Sequence, residues 1–187
     1  MPSPKETRTL IQYYLASKLG LLVTVGDIRY VDSGHANARD NALNGRDPKT
    51  PYATIDYAIG QCAANNGDVI VVAPGHAETI SAAAGINMDV AGITIIGQGV
   101  GAARPTITMS AVASTFVMGA ASCVVSNLLF KVTDDTTIVC DINAADCVVD
   151  SCEFRYGTSK EFVTAIDING GAANACDRTW INKCLIQ

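Results

Sequence analysis

The stretch Cys123-Val124-Val125-Ser126-Asn127-Leu128-Leu129-Phe130 decides the fold, because the chain repeats it. It returns as Cys147-Val148-Val149-Asp150-Ser151-Cys152-Glu153-Phe154 and, more weakly, as Thr179-Trp180-Ile181-Asn182-Lys183-Cys184-Leu185-Ile186. A faint earlier copy is Ile93-Thr94-Ile95-Ile96-Gly97, so the copies start at residues 93, 123, 147 and 179, which are 30, 24 and 32 residues apart. Self-similarity at such a period is typical of stacked supersecondary units rather than of a globular sandwich.

Each copy consists of two stretches in which apolar residues alternate along the chain, separated by a small polar corner. This is the pattern of a strand, a bend and a second strand. Parallel stacking of such units predicts an all-β fold, a right-handed parallel β-helix of about five coils. The corners fall at Ser126-Asn127, Asp150-Ser151 and Asn182-Lys183. Alternation then predicts an inward core ladder made of Cys123, Val125, Leu128, Phe130, Cys147, Val149, Cys152, Phe154, Ile181, Cys184 and Ile186.

Two helices are predicted ahead of the coils. Residues 7–22 place Leu10, Ile11, Tyr14, Leu15 and Leu19 at helical spacing, which favours a cap over the open end of the solenoid; the alternative is an attachment or trimer-forming segment. Thr54 is the predicted N-cap of a second, short helix that runs through Ala64. We therefore divide the chain into an N-terminal segment, residues 1–26, and a single β-helix domain, residues 27–187.

Composition excludes several classes of function. The 187 residues carry a net charge of −5 and no Lys/Arg cluster, which argues against a nucleic-acid partner. No apolar run reaches membrane-spanning length, so no membrane partner is expected, and the first residues lack the order of a secretory signal. The seven cysteines are odd in number and several share inward repeat positions, which predicts free, buried thiols rather than a disulfide framework.

The segment before the coils resembles the entry segment of pectate-lyase-like right-handed β-helix proteins. The resemblance lies in Tyr30-Val31-Asp32-Ser33, in Asp47-Pro48-Lys49-Thr50-Pro51-Tyr52-Ala53-Thr54-Ile55 and in Gly67-Asp68-Val69-Ile70-Val71-Val72-Ala73-Pro74-Gly75. The sequence of residues 63–80 is similar to that of small β-helix proteins encoded among bacteriophage structural genes. The resemblance covers residues 28–187 as architecture, and the fold itself supports both enzymes and inert spikes.

This resemblance implies a non-enzymatic phage virion protein, either a capsid decoration or part of a tail appendage, found in the virion and assembled in the host cytoplasm. Its implied partners are copies of itself, as a homotrimer, and other virion proteins. The alternative is a carbohydrate-active protein that cleaves or binds surface glycans. The predicted fold, with about five coils and modest loops, differs from that of the family's enzymes, whose long loops form the walls of a substrate groove. No cofactor is expected.

Three groups of polar residues are candidates for chemistry. Outward carboxylates and amides repeat at Asp141, Asn143, Asp167 and Asn169, and they are interpreted as an exposed ladder, as a Ca²⁺ site, or as an acid pair for glycoside hydrolysis. His76 and Glu78 share a strand face, where a surface or cap contact is favoured over proton transfer. His35 lies in a loop with Asp32, Asp40 and Asp47, where turn chemistry is favoured over metal binding. We predict no catalytic residue.

Overall fold

A computed structural model describes residues 24, 26–171 and 175–187, and in these ranges the repeats form a parallel β-helix. Every strand pairing within the three sheets is parallel, and strands of successive coils lie next to each other. Four coils contribute a strand to all three sheets, whereas the last coil contributes strands to only two of them. The prediction of about five coils is therefore corrected to four complete coils and a partial fifth.

The strands divide among three sheets. Sheet 1 has six strands: β1 (Ile28–Val31), β2 (Val69–Val72), β5 (Thr94–Gly97), β8 (Val124–Ser126), β11 (Val148–Asp150) and β14 (Trp180–Asn182). Sheet 2 has five: β3 (Ala77–Ile80), β6 (Thr106–Met109), β9 (Leu129–Val132), β12 (Glu153–Arg155) and β15 (Leu185–Ile186). Sheet 3 has four: β4 (Ile86–Asn87), β7 (Phe116–Met118), β10 (Thr136–Ile142) and β13 (Phe162–Ile168). One α-helix, α1 (Ile55–Ile59), and a 3₁₀ turn at Gly101–Ala103 complete the described elements.

The interior is a set of side-chain columns that run along the solenoid axis. Val125 pairs in register with Ile95 on one side and with Val149 on the other, and all three side chains are fully buried. Phe130 and Phe154 stack with ring centroids 5.1 Å apart. On the partial last coil, Ile181 and Ile186 continue these columns but are 45% and 55% exposed, because no further coil of the described chain covers them.

The corners between sheets 1 and 2 are built by residues in the left-handed conformation. Asn127, Ser151 and Lys183 occupy equivalent corner positions with φ values of 57°, 54° and 50°. The side-chain amide of Asn127 donates to the carbonyl oxygens of Gly97 and Gly99, at 2.8 and 3.0 Å, and so ties one coil to the preceding one. Small polar residues suit these corners because Asn tolerates positive φ and satisfies backbone groups left free by the bend.

Helix α1 and the loop before it close the N-terminal end of the solenoid. Thr54 caps α1 as predicted, since its hydroxyl accepts from the backbone N–H of Tyr57, and Ile55 and Ile59 are buried against the first coils. The helix ends at Ile59 rather than at Ala64. Gly60 weakens its continuation, and the N–H of Ala63 turns to the carboxylate of Asp68 instead. The helix predicted over residues 7–22 lies outside the described residues.

Asp68 holds this end together from a buried position. Its carboxylate accepts hydrogen bonds at 2.7 Å from the backbone N–H groups of Asp27 and Ala63 and from the Asn66 amide. Burial acts to raise the pKa of Asp68, but these donors outweigh it and lower that pKa below its ordinary value. The ionised form is therefore part of the folded structure.

Val149→Asp tests the register of the core columns. The substitution buries an unpaired carboxylate between Val125 and Ile181, and the free energy of unfolding should fall by more than about 3 kcal/mol. Thr108→Asp is the control, because it places the same carboxylate outward beside Lys131 and should change stability by less than about 1 kcal/mol. Urea denaturation measures both values, and equal losses would contradict the register.

Asp68→Asn tests the buried carboxylate through pH. Because the folded-state pKa is depressed, the stabilisation is present above the unfolded pKa of about 3.9 and is lost as the pH falls through the folded value. The variant should lose about 1–3 kcal/mol at pH 7 and much less than that near pH 2. Asp89→Asn, which alters an exposed carboxylate, is the control. A loss that is the same at both pH values would exclude this role for the charge.

Candidate functional site

The outward polar residues of sheet 3 form the column that the sequence singles out. Asp141 of β10 pairs in register with Asp167 of β13, so their half-buried side chains are neighbours on strands that lie about 4.8 Å apart. The Asn143 amide donates to the Asp141 carboxylate at 3.0 Å. Asn169 is exposed one position past the end of β13. The structure thus brings Asp141 together with Asp167 and Asn143.

The chemistry open to this column is limited by the number of its ligands. Ca²⁺ takes six to eight oxygen ligands, whereas the column offers two carboxylates and the amides beside them. In the ranges that the structure describes, no three His, Cys, Asp or Glu side chains are grouped so that they could hold a metal ion. A Ca²⁺ site at Asp141, Asn143, Asp167 and Asn169 stays a prediction.

A cleft of about 330 Å³, which no pattern in the sequence indicates, lies at the corners between sheets 2 and 3. Its acidic residues are Asp135 and Glu161, and its apolar ones include Phe162 and the exposed Val163. Beside it, Lys160 bridges Asp134 and Asp135 at 2.9 and 3.2 Å, and its hydrogen bond lowers the pKa of Asp134. The charged residues of the cleft lie in corner segments of unequal length just before β10 and β13, where repeat spacing carries no signal.

His76 and Glu78 form a buried junction with the loop and helix that close the N-terminal end, so of the two predicted contacts the cap contact is confirmed and the surface contact is wrong. His76 is only 1% exposed, and its Nδ1 accepts from the backbone N–H of Ser33 at 3.0 Å. Its Nε2 lies 3.2 Å from the Glu78 carboxylate, which also accepts from the N–H of Ile55 at 3.0 Å. The pair therefore joins the entry loop, helix α1 and strand β3.

This geometry fixes the tautomer of His76. Because Nδ1 accepts the Ser33 N–H, the ring proton of the neutral form sits on Nε2 and is donated to Glu78. Both nitrogens and one Glu78 oxygen are occupied by neighbours that belong to the fold. The spacing of His76 and Glu78 on one strand face gives no signal of burial, because the covering groups come from residues 33 and 55, far away in the chain.

The carboxylates of the entry loop, residues 32–51, serve as turn acceptors, as their turn chemistry predicts. Asp32 and Asp47 each accept a backbone N–H two residues further along the chain, from Gly34 at 2.9 Å and Lys49 at 2.8 Å. Asp40 accepts the N–H groups of residues 53 and 54 and the Thr54 hydroxyl, which anchors the loop to helix α1. The His35 Nδ1 likewise accepts the N–H of residue 37.

All seven cysteines are free, and most of them pack inside the coils. Burial raises the pKa of Cys152 to about 12 and that of Cys62 to about 11, and it raises the pKa of Cys140 as well. A thiol with a raised pKa is a poor nucleophile and a poor metal ligand, since both roles need the thiolate. These cysteines act as small apolar residues of the interior.

Comparison with protein-family models, with curated proteins and with solved structures found no match to this chain. No helix of the described residues is long and apolar enough to cross a membrane.

The two histidines of the chain make a matched test of the buried junction. His76→Ala removes the acceptor for the Ser33 N–H and the donor to Glu78, and it should lower the free energy of unfolding by about 2–4 kcal/mol. His35→Ala removes an equivalent contact from the exposed loop and should cost less than about 1 kcal/mol. Thermal unfolding of both variants measures the two effects, and equal melting temperatures would exclude a structural role for the junction.

Proposed function

We propose that this chain is a non-enzymatic structural protein of a bacteriophage particle, a capsid decoration or a tail appendage, which associates with copies of itself. The observation that carries the proposal is the use of its reactive side chains in packing: the His76–Glu78 pair joins three elements, and the cysteines fill the core. The phage context rests on the resemblance of residues 63–80, as do the right-handed coil, the virion location and the three-fold assembly.

A continuous apolar interior supports a mechanical role. Buried side chains run without a gap from Val31 in the first strand to Phe154 in the fourth complete coil. Parallel strands bond each coil to the next through their backbones, so a load along the axis is shared by up to three strand pairs per coil. A rod of this kind suits a decoration or an appendage, and its outer faces are free to meet partners.

The alternative is a carbohydrate-active protein, and one observation favours it. Asp141 and Asp167 are paired carboxylates on an outer face, and two carboxylates that share the acid and nucleophile roles cleave glycosidic bonds. The Asn143 amide donates to the Asp141 carboxylate at 3.0 Å, so a neighbour within the fold already engages one of its oxygens. The structural role is therefore the better supported of the two.

The double substitution Asp141→Asn and Asp167→Asn separates these functions. Under our proposal, assembly stays unchanged, and stability rises by about 0.2–1 kcal/mol because like charges on adjacent strands no longer repel. Asp177→Asn, which alters an exposed carboxylate outside the column, is the control. Reducing-sugar release from acidic polysaccharides measures turnover. If the wild type degrades a polysaccharide and only the double variant does not, the carbohydrate-active function replaces the structural one.

Mass spectrometry of purified particles tests the location directly. A virion protein should be present in many copies per particle and should remain after washing at high salt. Particles that lack the chain, obtained from a host that expresses it, would contradict the proposal.

A further inference from the structure

Three asparagines of this chain are followed directly by glycine: Asn44, Asn66 and Asn169. In such a pair the backbone nitrogen of the second residue can attack the asparagine side chain most easily, because glycine has no Cβ to obstruct the approach. The three pairs lie in different surroundings, so the fold sets a different rate of this reaction for each of them.

The Asn44–Gly45 pair is held at both of the atoms that would react. The Asn44 side chain is buried, and its amide donates to the carbonyl oxygens of Asn37 and Pro51 at 2.8 and 2.9 Å. The N–H of Gly45 donates to the carbonyl oxygen of Thr50 at 2.7 Å. The attacking nitrogen and the leaving amide are therefore both fixed by the entry loop.

The Asn66–Gly67 pair is held at the leaving amide. Asn66 is exposed, but its side-chain amide donates to the buried Asp68 carboxylate at 2.7 Å. This bond is charge-assisted, and it must break before the amide nitrogen can leave. The product would also set a second carboxylate beside a buried one, which the fold opposes.

The Asn169–Gly170 pair has neither restraint. Asn169 is exposed just past the end of β13, and within the part of the chain that the structure describes neither its amide nor the N–H of Gly170 donates a hydrogen bond. The glycine is required by the fold, because a Cβ at position 170 would clash with the Cβ of Ala175. The structure thus demands the residue that makes this asparagine reactive.

We propose that Asn169 is a site of spontaneous deamidation, with water as the co-reactant. The Gly170 nitrogen loses its proton and bonds to Cγ of Asn169; the Cγ–Nδ2 bond breaks, and ammonia leaves with that proton. Water then opens the cyclic imide at either of its carbonyl carbons, which gives aspartate or isoaspartate at position 169. The N–H of Gly171 lies 3.4 Å from Oδ1 of Asn169, where it can donate to the oxygen on which negative charge develops.

The reaction changes the outer face of sheet 3. Position 169 lies two residues beyond Asp167 on the same face of the chain, so the column of Asp141 and Asp167 gains a further carboxylate. This face would become more acidic as the protein ages, without the action of an enzyme. The inference is independent of the proposed function, since it depends only on the surroundings of the three pairs.

Peptide mapping of the aged, folded protein measures the three rates in one sample. Trypsin places the pairs on separate peptides, because Lys and Arg residues lie between them. Deamidation replaces an NH₂ group by OH, which mass spectrometry detects on each peptide, and an unaged sample corrects for conversion during digestion. Asn169 should react at least about tenfold faster than Asn44, where three hydrogen bonds must break, and the rate at Asn66 should lie between them.

The denatured protein is the matched control, because unfolding removes the surroundings and keeps the three Asn-Gly pairs. In concentrated urea the three rates should agree to within about threefold. Asn169→Gln should abolish the reaction at this position, since glutamine would have to close a larger and less favourable ring, and it should leave the rate at Asn66 unchanged. Circular dichroism confirms that the variant folds.

The pH and the ratio of rates complete the test. The rate at Asn169 should rise with pH, because the Gly170 nitrogen must lose its proton before it attacks. Equal rates at Asn44 and Asn169 in the folded protein would overturn the inference, and so would a ratio of rates that is the same in the folded and the denatured protein. Absence of the chain from purified particles would refute the virion role and leave this result unchanged.

Discussion

The register between successive coils is the constraint on which the rest of this structure depends. Side chains alternate between the two faces of a strand, so a slip of one residue would exchange the interior column of Val125 and Val149 for the outward column of Val124 and Val148. Corner residues in the left-handed conformation prevent such a slip because they fix where each strand ends. Asn127 also forms side-chain hydrogen bonds to the preceding coil, so the corner fixes the register both by its backbone conformation and by these bonds.

The same constraint determines where function can lie. Once the interior is dry, a polar group must either find partners within the fold or stand on an outer face. His76 finds its partners within the fold, since both of its ring nitrogens are engaged by neighbours that close the N-terminal end. Other polar groups stand on the outer faces, which differ from one another: sheet 1 is mostly apolar, sheet 2 is rich in charges, and sheet 3 carries Asp141 and Asp167. Each face therefore suits a different kind of partner.

The repeat predicted sheets 1 and 2 well because both strands and the corner between them recur in the sequence. Sheet 3 could be predicted only in part, because its strands follow segments of unequal length and the repeat they share is the short Asp-Ile-Asn at the ends of β10 and β13. The Thr54 cap was predicted from local chemistry, whereas the early end of α1 depends on Asp68, which draws the Ala63 N–H away from the helix. The burial of His76 depends on contacts across more than 40 residues of chain, which no local pattern encodes.

The repeat links the chemistry of one coil to that of a whole face. A repeat unit that turns through three sheets presents each face at every coil, so a face that is apolar in one coil tends to be apolar along the whole rod. Sheet 1 departs from this uniformity at Asp150, whose carboxylate accepts from the Asn182 amide at 2.7 Å, and at Trp180, which is 69% exposed on the last coil. Such imperfect positions distinguish one coil from the next, whereas the regular positions between them do not.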